Sequence, residues 1–218
     1  MSDPVLLIGG LGSIGLRYQA ILKSINVPFI VYDYGSPLED SPDYNGQKNI
    51  PNIQFDKAII CSPTETHINY VHQLIHLGKT FLCEKPLSKD MEDMESLPDY
   101  PAGFVVCNYK FLVKPYGMSP SIRYDYYKSG RDGLLWDCCQ LIYLDPECEL
   151  KNESPLWNLH VNCKEVPYRA LELSYVQMIK SFIWNKGKDL WTLKDGVEMS
   201  KAVMNRQADE IVKIVREA

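Results

Sequence analysis

The sequence has few histidines, 4 in 218 residues, and no excess of positive charge, since 23 Lys and Arg stand against 28 Asp and Glu for a formal net charge of −5. Nucleic acids and anionic membrane surfaces select basic patches, so this balance, with a pI near 5.4, excludes both as the main partner. Long hydrophobic runs are missing as well. The N-terminus passes from MSDP into VLLIGG, which is too short for a signal h-region or a membrane span, and the chain is expected to be cytoplasmic. No internal repeat or low-complexity tract is visible. Nor is a metal centre expected. Cys138 and Cys139 are adjacent, but no second ligand pair follows at suitable spacing. The apolar stripe Ile68, Val71, Leu74 and Ile75 puts Asn69, His72 and His76 on the opposite, solvated side of their helix. The cysteines number 7, and several lie inside apolar runs, so they read as reduced, buried thiols.

What is present is a core-forming composition, 45% apolar, organised as short runs of β-formers bounded by turn residues. VLLIGG (5–10), PFIVYDY (28–34), KAIICSP (57–63), KTFLCE (79–84) and GFVVCNY (103–109) read as strands. Helical patterns lie between several of them, the first with Ile14, Tyr18, Ile21, Leu22 and Ile25 on one face. Strands buried on both faces and alternating with helices predict an α/β fold, a Rossmann-like doubly wound parallel sheet. Pro, Gly and Ser cluster in KPYGMSPS, which places a boundary near residue 114. Residues 1–114 are read as a dinucleotide-binding domain, and 115–218 as a reduced α+β substrate or oligomerisation domain. In the second part the pattern predicts a helix over 118–129, strands over 133–144 and 157–164, and helices over 167–185 and 194–216. Along 157–164, Trp157, Leu159, Val161 and Cys163 should face one way, and Asn158, His160, Asn162 and Lys164 the other.

The glycines of GGLGSIG carry the first chemistry. Gly10, Gly12 and Gly15 stand in G-x-G-x-x-G spacing directly after a strand and at the opening of a helix. Gly10 should permit the tight turn, Gly12 leave room for a pyrophosphate, and Gly15 let helix and strand pack closely. Leu11, Ser13 and Ile14 complete the turn. Asp33 follows 18 residues beyond Gly15 at a strand end, where a carboxylate accepts hydrogen bonds from an adenosine ribose. A 2′-phosphate against that carboxylate would meet repulsion of about 2–4 kcal/mol at intermediate dielectric. No Lys or Arg occurs from 34 to 47 to offset it, so NAD is expected rather than NADP.

Three motifs in order resemble the glucose-fructose oxidoreductase, inositol dehydrogenase and MocA family of dinucleotide-dependent oxidoreductases. They are GGLGSIG with Asp33, the stretch AIICSPTETHINYVHQLIHLGK, and FLCEKPLSKD, of which the Glu-Lys-Pro run is the most specific. NYKF at 108–111 is similar to the family's Asn-Arg-Arg-Phe-like stretch. The resemblance covers about residues 4–116. It implies a cofactor site that adds Ser62, Pro63, Thr64, His67, Glu84, Lys85 and Asn108 to the glycine turn and Asp33. Lys85 would act at the reacting hydroxyl, Glu84 would orient it, and Pro86 would fix the turn, often through a cis bond in that family.

The resemblance also implies a carbohydrate-like small-molecule substrate and a possible homo-oligomer. Family enzymes commonly add a histidine in an Asp-x-x-x-His-like setting, whereas DCCQL at 137–141 has Leu141 in that place. His160, with a tyrosine such as Tyr109 as an alternative, is the candidate acid/base partner. Only 23 residues separate Asp33 from Lys57, too few for the usual helix-strand-helix excursion, so a helix is expected to be lost there. The expected activity is NAD-dependent hydride transfer to or from a hydroxyl or carbonyl of a sugar or polyol. A dinucleotide-binding sensor or scaffold without turnover is the alternative.

Overall fold

The computed structural model describes residues 3–33, 49–117 and 120–217, with side chains described through residue 210. Five short parallel strands form its centre: β1 (Val5–Ile8), β2 (Phe29–Tyr32), β3 (Lys57–Ile60), β4 (Thr80–Cys83) and β5 (Gly103–Val105). Each stops where its apolar run meets the following turn motif, because the sheet interior accepts only the apolar part. The helices α1 (Ser13–Ser24), α2 (Thr64–His76), α3 (Met91–Glu95) and α4 (Asn108–Val113) follow β1, β3, β4 and β5. Strand β1 pairs in register with β2 on one side and β3 on the other. The chain therefore reverses its direction of travel across the sheet at β1, and the crevice outside the carboxyl ends of β1 and β3 is where ligands bind in open α/β sheets. Leu6, Leu7, Ala58, Ile59, Phe81 and Leu82 are fully buried, as the near-continuous apolar strands of a sheet covered on both faces require. The helix expected to be lost falls largely on residues 34–48, outside the described residues, and 49–56 form none.

The second part departs from the sequence expectation. The segment read as a helix over 118–129 contains β6 (Ile122–Asp125), with Ile122 and Tyr124 buried and Arg123 exposed. Its alternation of buried and exposed residues has the period of two of a strand. The segment read as a strand over 133–144 is instead a helix pair, α5 (Gly130–Asp137) and α6 (Cys139–Leu144). Leu134, Leu135, Cys138, Cys139, Gln140, Leu141 and Ile142 are all buried, and a run apolar on every side carries no periodicity to separate the two states.

Strands β7 (Glu149–Lys151), β8 (Asn158–Val161) and β9 (Lys164–Glu165) join β6 in a second sheet of order β7-β6-β8-β9. The predicted strand over 157–164 breaks at Asn162 and Cys163, both at positive φ, which turn the chain between β8 and β9. Cys163 is consequently exposed rather than on the apolar face. Helix α7 (Tyr168–Trp184) lies where expected and packs against α4 and α1. Strand β10 (Trp191–Thr192) then returns to the first sheet, antiparallel beside β5. Helix α8 (Leu193–Glu217) packs on α5, α6 and β5. Among the described residues no helix is long and apolar enough to cross a membrane.

Candidate active site

At the carboxyl end of β1, Gly9 takes φ +78°, and a Cβ there would stand 2.3 Å from the Ser62 Cα. The left-handed residue of the turn is thus Gly9, one position before the motif, and the role expected of Gly10 belongs to it. Gly10 instead makes room for Val31, whose Cγ1 lies 2.8 Å from a built Cβ. Gly15 behaves as predicted, since its Cβ would come within 2.4 Å of the Gly10 carbonyl oxygen. At Gly12 the nearest atom is 3.8 Å away. That open face is the cradle a pyrophosphate needs.

Helix α1 starts there with no side-chain cap and no acidic residue in its first turn, so its N-terminal N–H groups suit an anion. Leu11 donates its backbone N–H to Asp33 Oδ2 at 2.7 Å, which fixes the carboxylate beside the glycine turn. Across the crevice, Ser62 Oγ lies 2.7 Å from Thr66 Oγ1, and Pro63 caps α2. The residues present therefore fit a dinucleotide: Gly12, Ser13 and Ile14 at the phosphates, Asp33 at the ribose.

The turn after β4 carries the remaining predicted residues. Lys85–Pro86 is a cis peptide bond. His67, 1% exposed, ties that turn to β3, with Nδ1 2.9 Å from the Pro86 carbonyl oxygen and Nε2 2.8 Å from that of Ser62. Glu84 is buried, accepts a hydrogen bond from the Tyr18 hydroxyl through one oxygen, and accepts the Lys85 N–H through the other at 3.1 Å. A carboxylate at a strand end is thereby satisfied without an ion pair to its neighbour. Lys85 is free to point elsewhere.

It points across to α5. The Lys85 ammonium donates to Asp137 Oδ1 at 2.9 Å and to the Asp137 carbonyl oxygen at 3.0 Å. Lys128 Nζ lies 3.4 Å from Asp137 Oδ2. Burial works against the Lys85 charge, but Asp137, with Cys139, Tyr175 and Glu84 adding to it, raises its pKa well above the usual lysine value. Burial likewise works against the Asp137 carboxylate, but Lys85 and then Lys128 hold its pKa below the usual range. The chemistry available is that of a fixed ammonium, a donor to an oxygen that gains negative charge.

Asn108, fully buried at the start of α4, accepts from Gln140 Nε2 at 2.9 Å, and its own Nδ2 has no partner. An orphaned buried donor at the sheet's carboxyl edge again fits a bound ligand. Tyr109 is buried and accepts from Trp157 Nε1 at 3.3 Å, and burial pushes its phenol upward, away from service as a base. His160 is not brought to Lys85. Leu159 and Val161 face the core, so His160 projects from the opposite face of the second sheet, in register with Arg123 and Glu165. Asp137 is the residue whose role the sequence hid, although the incomplete Asp-x-x-x-His run pointed at it. Leu141, fully buried, fills the place of the histidine. Cys139 is pushed up to about 12 by burial, and no cluster of metal-ligating residues occurs among the described residues.

Comparison with known proteins agrees with this geometry. An inositol 2-dehydrogenase of Rhizobium meliloti is 40% identical over 37 residues, a match spanning 17% of this chain and 11% of that protein. A dehydrogenase from Chromobacterium violaceum superposes with a TM-score of 0.68 at 12% identity, over 100% of this chain and 98% of that one. A myo-inositol dehydrogenase from Corynebacterium glutamicum gives 0.65 at 12% identity, over 93% and 95% of the two chains. The WlbA (WbpB) dehydrogenase from Thermus thermophilus, solved with NAD and UDP-GlcNAcA, gives 0.62 at 14% identity, over 93% and 94%. At such identities the likeness is one of fold. The family model described as "Oxidoreductase family, NAD-binding Rossmann fold" matches residues 10–101, the stretch that holds the glycine turn, Asp33 and Lys85. Over that stretch the chain is similar to the glucose-fructose oxidoreductase, inositol dehydrogenase and MocA family of oxidoreductases.

Proposed function

We propose that the protein is an NAD-dependent oxidoreductase that moves a hydride between the nicotinamide and a hydroxyl or carbonyl carbon of a sugar, polyol or related compound. The observation that carries the reading is the Lys85 ammonium, held at 2.9 Å by Asp137 at the carboxyl edge of the sheet that also carries the glycine turn. When bound, the nicotinamide accepts or donates the hydride. Gly12, Ser13 and Ile14 hold the phosphates, and Asp33 takes the ribose hydroxyls, which favours NAD over NADP. Ser62, Pro63, Thr64, His67 and Asn108 shape the crevice.

Lys85 faces the reacting oxygen. In the reducing direction its ammonium gives a proton to the oxygen that becomes the hydroxyl as hydride reaches the carbon, and in the oxidising direction the neutral amine takes the hydroxyl proton as hydride leaves and the carbonyl forms. Asp137 keeps the lysine charged and aimed, and Glu84 fixes the backbone that presents it. The relatives named as inositol dehydrogenases and the WlbA structure with UDP-GlcNAcA support a carbohydrate substrate class. A panel of sugars, polyols and their keto forms, followed by the absorbance of NADH, tests the reading. Turnover of none of them by a protein that binds NAD sinks it.

A second reading, a dinucleotide-binding sensor without turnover, is favoured by one observation. Leu141 stands where family enzymes commonly have a histidine, and His160 lies on the far face of its sheet.

A further inference from the structure

An open cavity of about 340 Å³ lies between the cis-proline turn and α5, and its lining is unusual for a chain of net charge −5. Its charged lining residues are three lysines, Lys85, Lys89 and Lys128, and one carboxylate, Asp137. That carboxylate is already engaged, at 2.9 Å by Lys85 and 3.4 Å by Lys128. Lys89 is exposed, its ammonium lies 5.9 Å from the centre of the Trp136 ring, and it takes part in no ion pair among the described residues.

The cavity follows one face of α5, where Ser129, Gly133, Trp136 and Asp137 succeed one another at helical spacing. Gly133 keeps this face open, for a Cβ there would meet nothing within 4 Å. Ser129 caps the helix without a side-chain bond, and Asp132 in the first turn is occupied by Gln207. A neutral polyol is held by groups that accept as well as donate. Thr64 and Ser129 can do both, but of the charged groups three are cations and one is an anion, so the surplus is cationic.

We propose that the substrate of this site carries an anionic group, a carboxylate or a phosphate, received by Lys89 and Lys128 while its reacting oxygen lies at Lys85. The placement of that oxygen rests on the oxidoreductase reading; the anion site does not. The glycine turn assigned to the cofactor's own phosphates does not line this cavity.

The test titrates D-glucose, D-glucuronate and D-glucose 6-phosphate into the protein by calorimetry, with and without NAD, at low and high salt. One of the two anions should bind about tenfold or more tightly than glucose, the scale of hydrogen bonds to charged groups, and the gap should narrow as salt screens it. Which anion prevails separates carboxylate from phosphate. Lys89→Gln should remove most of that preference while leaving NAD and glucose affinity unchanged. Melting curves confirm that the variant is folded. Equal affinity for all three sugars, or a preference that survives in the Lys89→Gln, Lys128→Gln double variant, overturns the proposal. If an anion binds through Lys89 yet no sugar is turned over, the oxidoreductase reading falls and the anion site stands. If neutral sugars are turned over as well as charged ones with equal KM, the reverse holds.

Discussion

Replacing Lys85 by Met removes an ammonium and keeps most of the aliphatic stem, so it isolates the charge. Two hydrogen bonds are lost, at 2.9 and 3.0 Å, and Asp137 is left with Lys128 at 3.4 Å. Bonds to charged groups contribute roughly 1.5–3 kcal/mol each, but the two side chains here keep 17% and 29% of their surface exposed, so water recovers part of that. The expected cost in stability is about 1–3 kcal/mol.

Its pH dependence is specific. The Asp137 pKa is lowered from its ordinary value of 3.8, so its stabilisation is complete above that value and is lost as pH falls through the lowered folded value. The Lys85 pKa is raised above 10.5, so its share is complete below that value and is lost only as pH rises through the raised one. The melting difference between the parent protein and Lys85→Met should therefore stay level through neutral pH and collapse in acid.

Catalysis should suffer more. Loss of a positioned proton-transfer or electrostatic group costs about 10²-fold or more in turnover, close to 3 kcal/mol of barrier. NAD affinity should stay within a few-fold, because the glycine turn and Asp33 hold the cofactor. Calorimetry with NAD, initial rates and melting from pH 3 to 9 read all three quantities. Unchanged turnover in a folded Lys85→Met variant refutes the role of Lys85, and an equal loss of NAD affinity would reassign it to cofactor binding.

Gly12→Val should abolish dinucleotide binding with little change in melting, because the branched side chain enters space whose nearest atom lies 3.8 Å from the Cβ; unchanged NAD affinity would make the turn merely structural. Gly15→Ala should act the other way, since its Cβ would sit 2.4 Å from the Gly10 carbonyl oxygen, and a melting temperature within a degree of the parent's would contradict that packing. Asp33→Ala should narrow the preference for NAD over NADP and release the Leu11 N–H, and equal affinities in the parent protein, measured by calorimetry, would remove the premise. Because the Lys85 pKa is raised, the rate of alcohol oxidation should climb with pH into the alkaline range while carbonyl reduction persists at neutral pH. A pH-independent ratio of the two kcat values would count against a protonated Lys85 at the reacting oxygen.

The five strands of the first sheet before residue 116 are legible in the sequence because their signals are local. Each apolar run ended at a turn residue, and the structure ends each strand within it, so the glycine turn and the Glu84-Lys85-Pro86 turn fall at the sheet's carboxyl edge. Gly9 went unnoticed because its positive φ belongs to the turn and not to the spacing of the motif. The second part was misread where local signals are silent. LLWDCCQLIYL is buried on nearly every side as two short helices, and its apolar length suited a strand equally well. His160 is a candidate acid/base by residue type, but only the pairing of β8 with β6 reveals which face it takes.

The partner of Lys85 is the instructive case, since Asp137 lies 52 residues away and reaches the site only if α5 is fixed against the first sheet. The second part supplies that fixing three times over. Helix α7 lies on α4 and α1, with Arg17 bonded to Glu172 at 3.2 Å and placed 4.8 Å over the Tyr175 ring. Strand β10 extends the first sheet beside β5. Helix α8 follows at once, its Gly196 so close to Val105 that a Cβ would stand 2.6 Å from Cγ1, and Arg131 of α5 forms an ion pair with Glu210 farther along it. A domain free to swing could not hold an ammonium to a carboxylate at hydrogen-bond distance, and a lysine without that carboxylate would lose the interaction that outweighs its burial. What the second part provides is thus the support for one aspartate, and the variant that tests this is remote from the chemistry. Gly196→Val should push α8 off β5, lower the melting temperature, and cut turnover in the surviving folded fraction by loosening Asp137, with Lys85 intact. Full specific activity in that fraction would mean that α5 holds its place without α8.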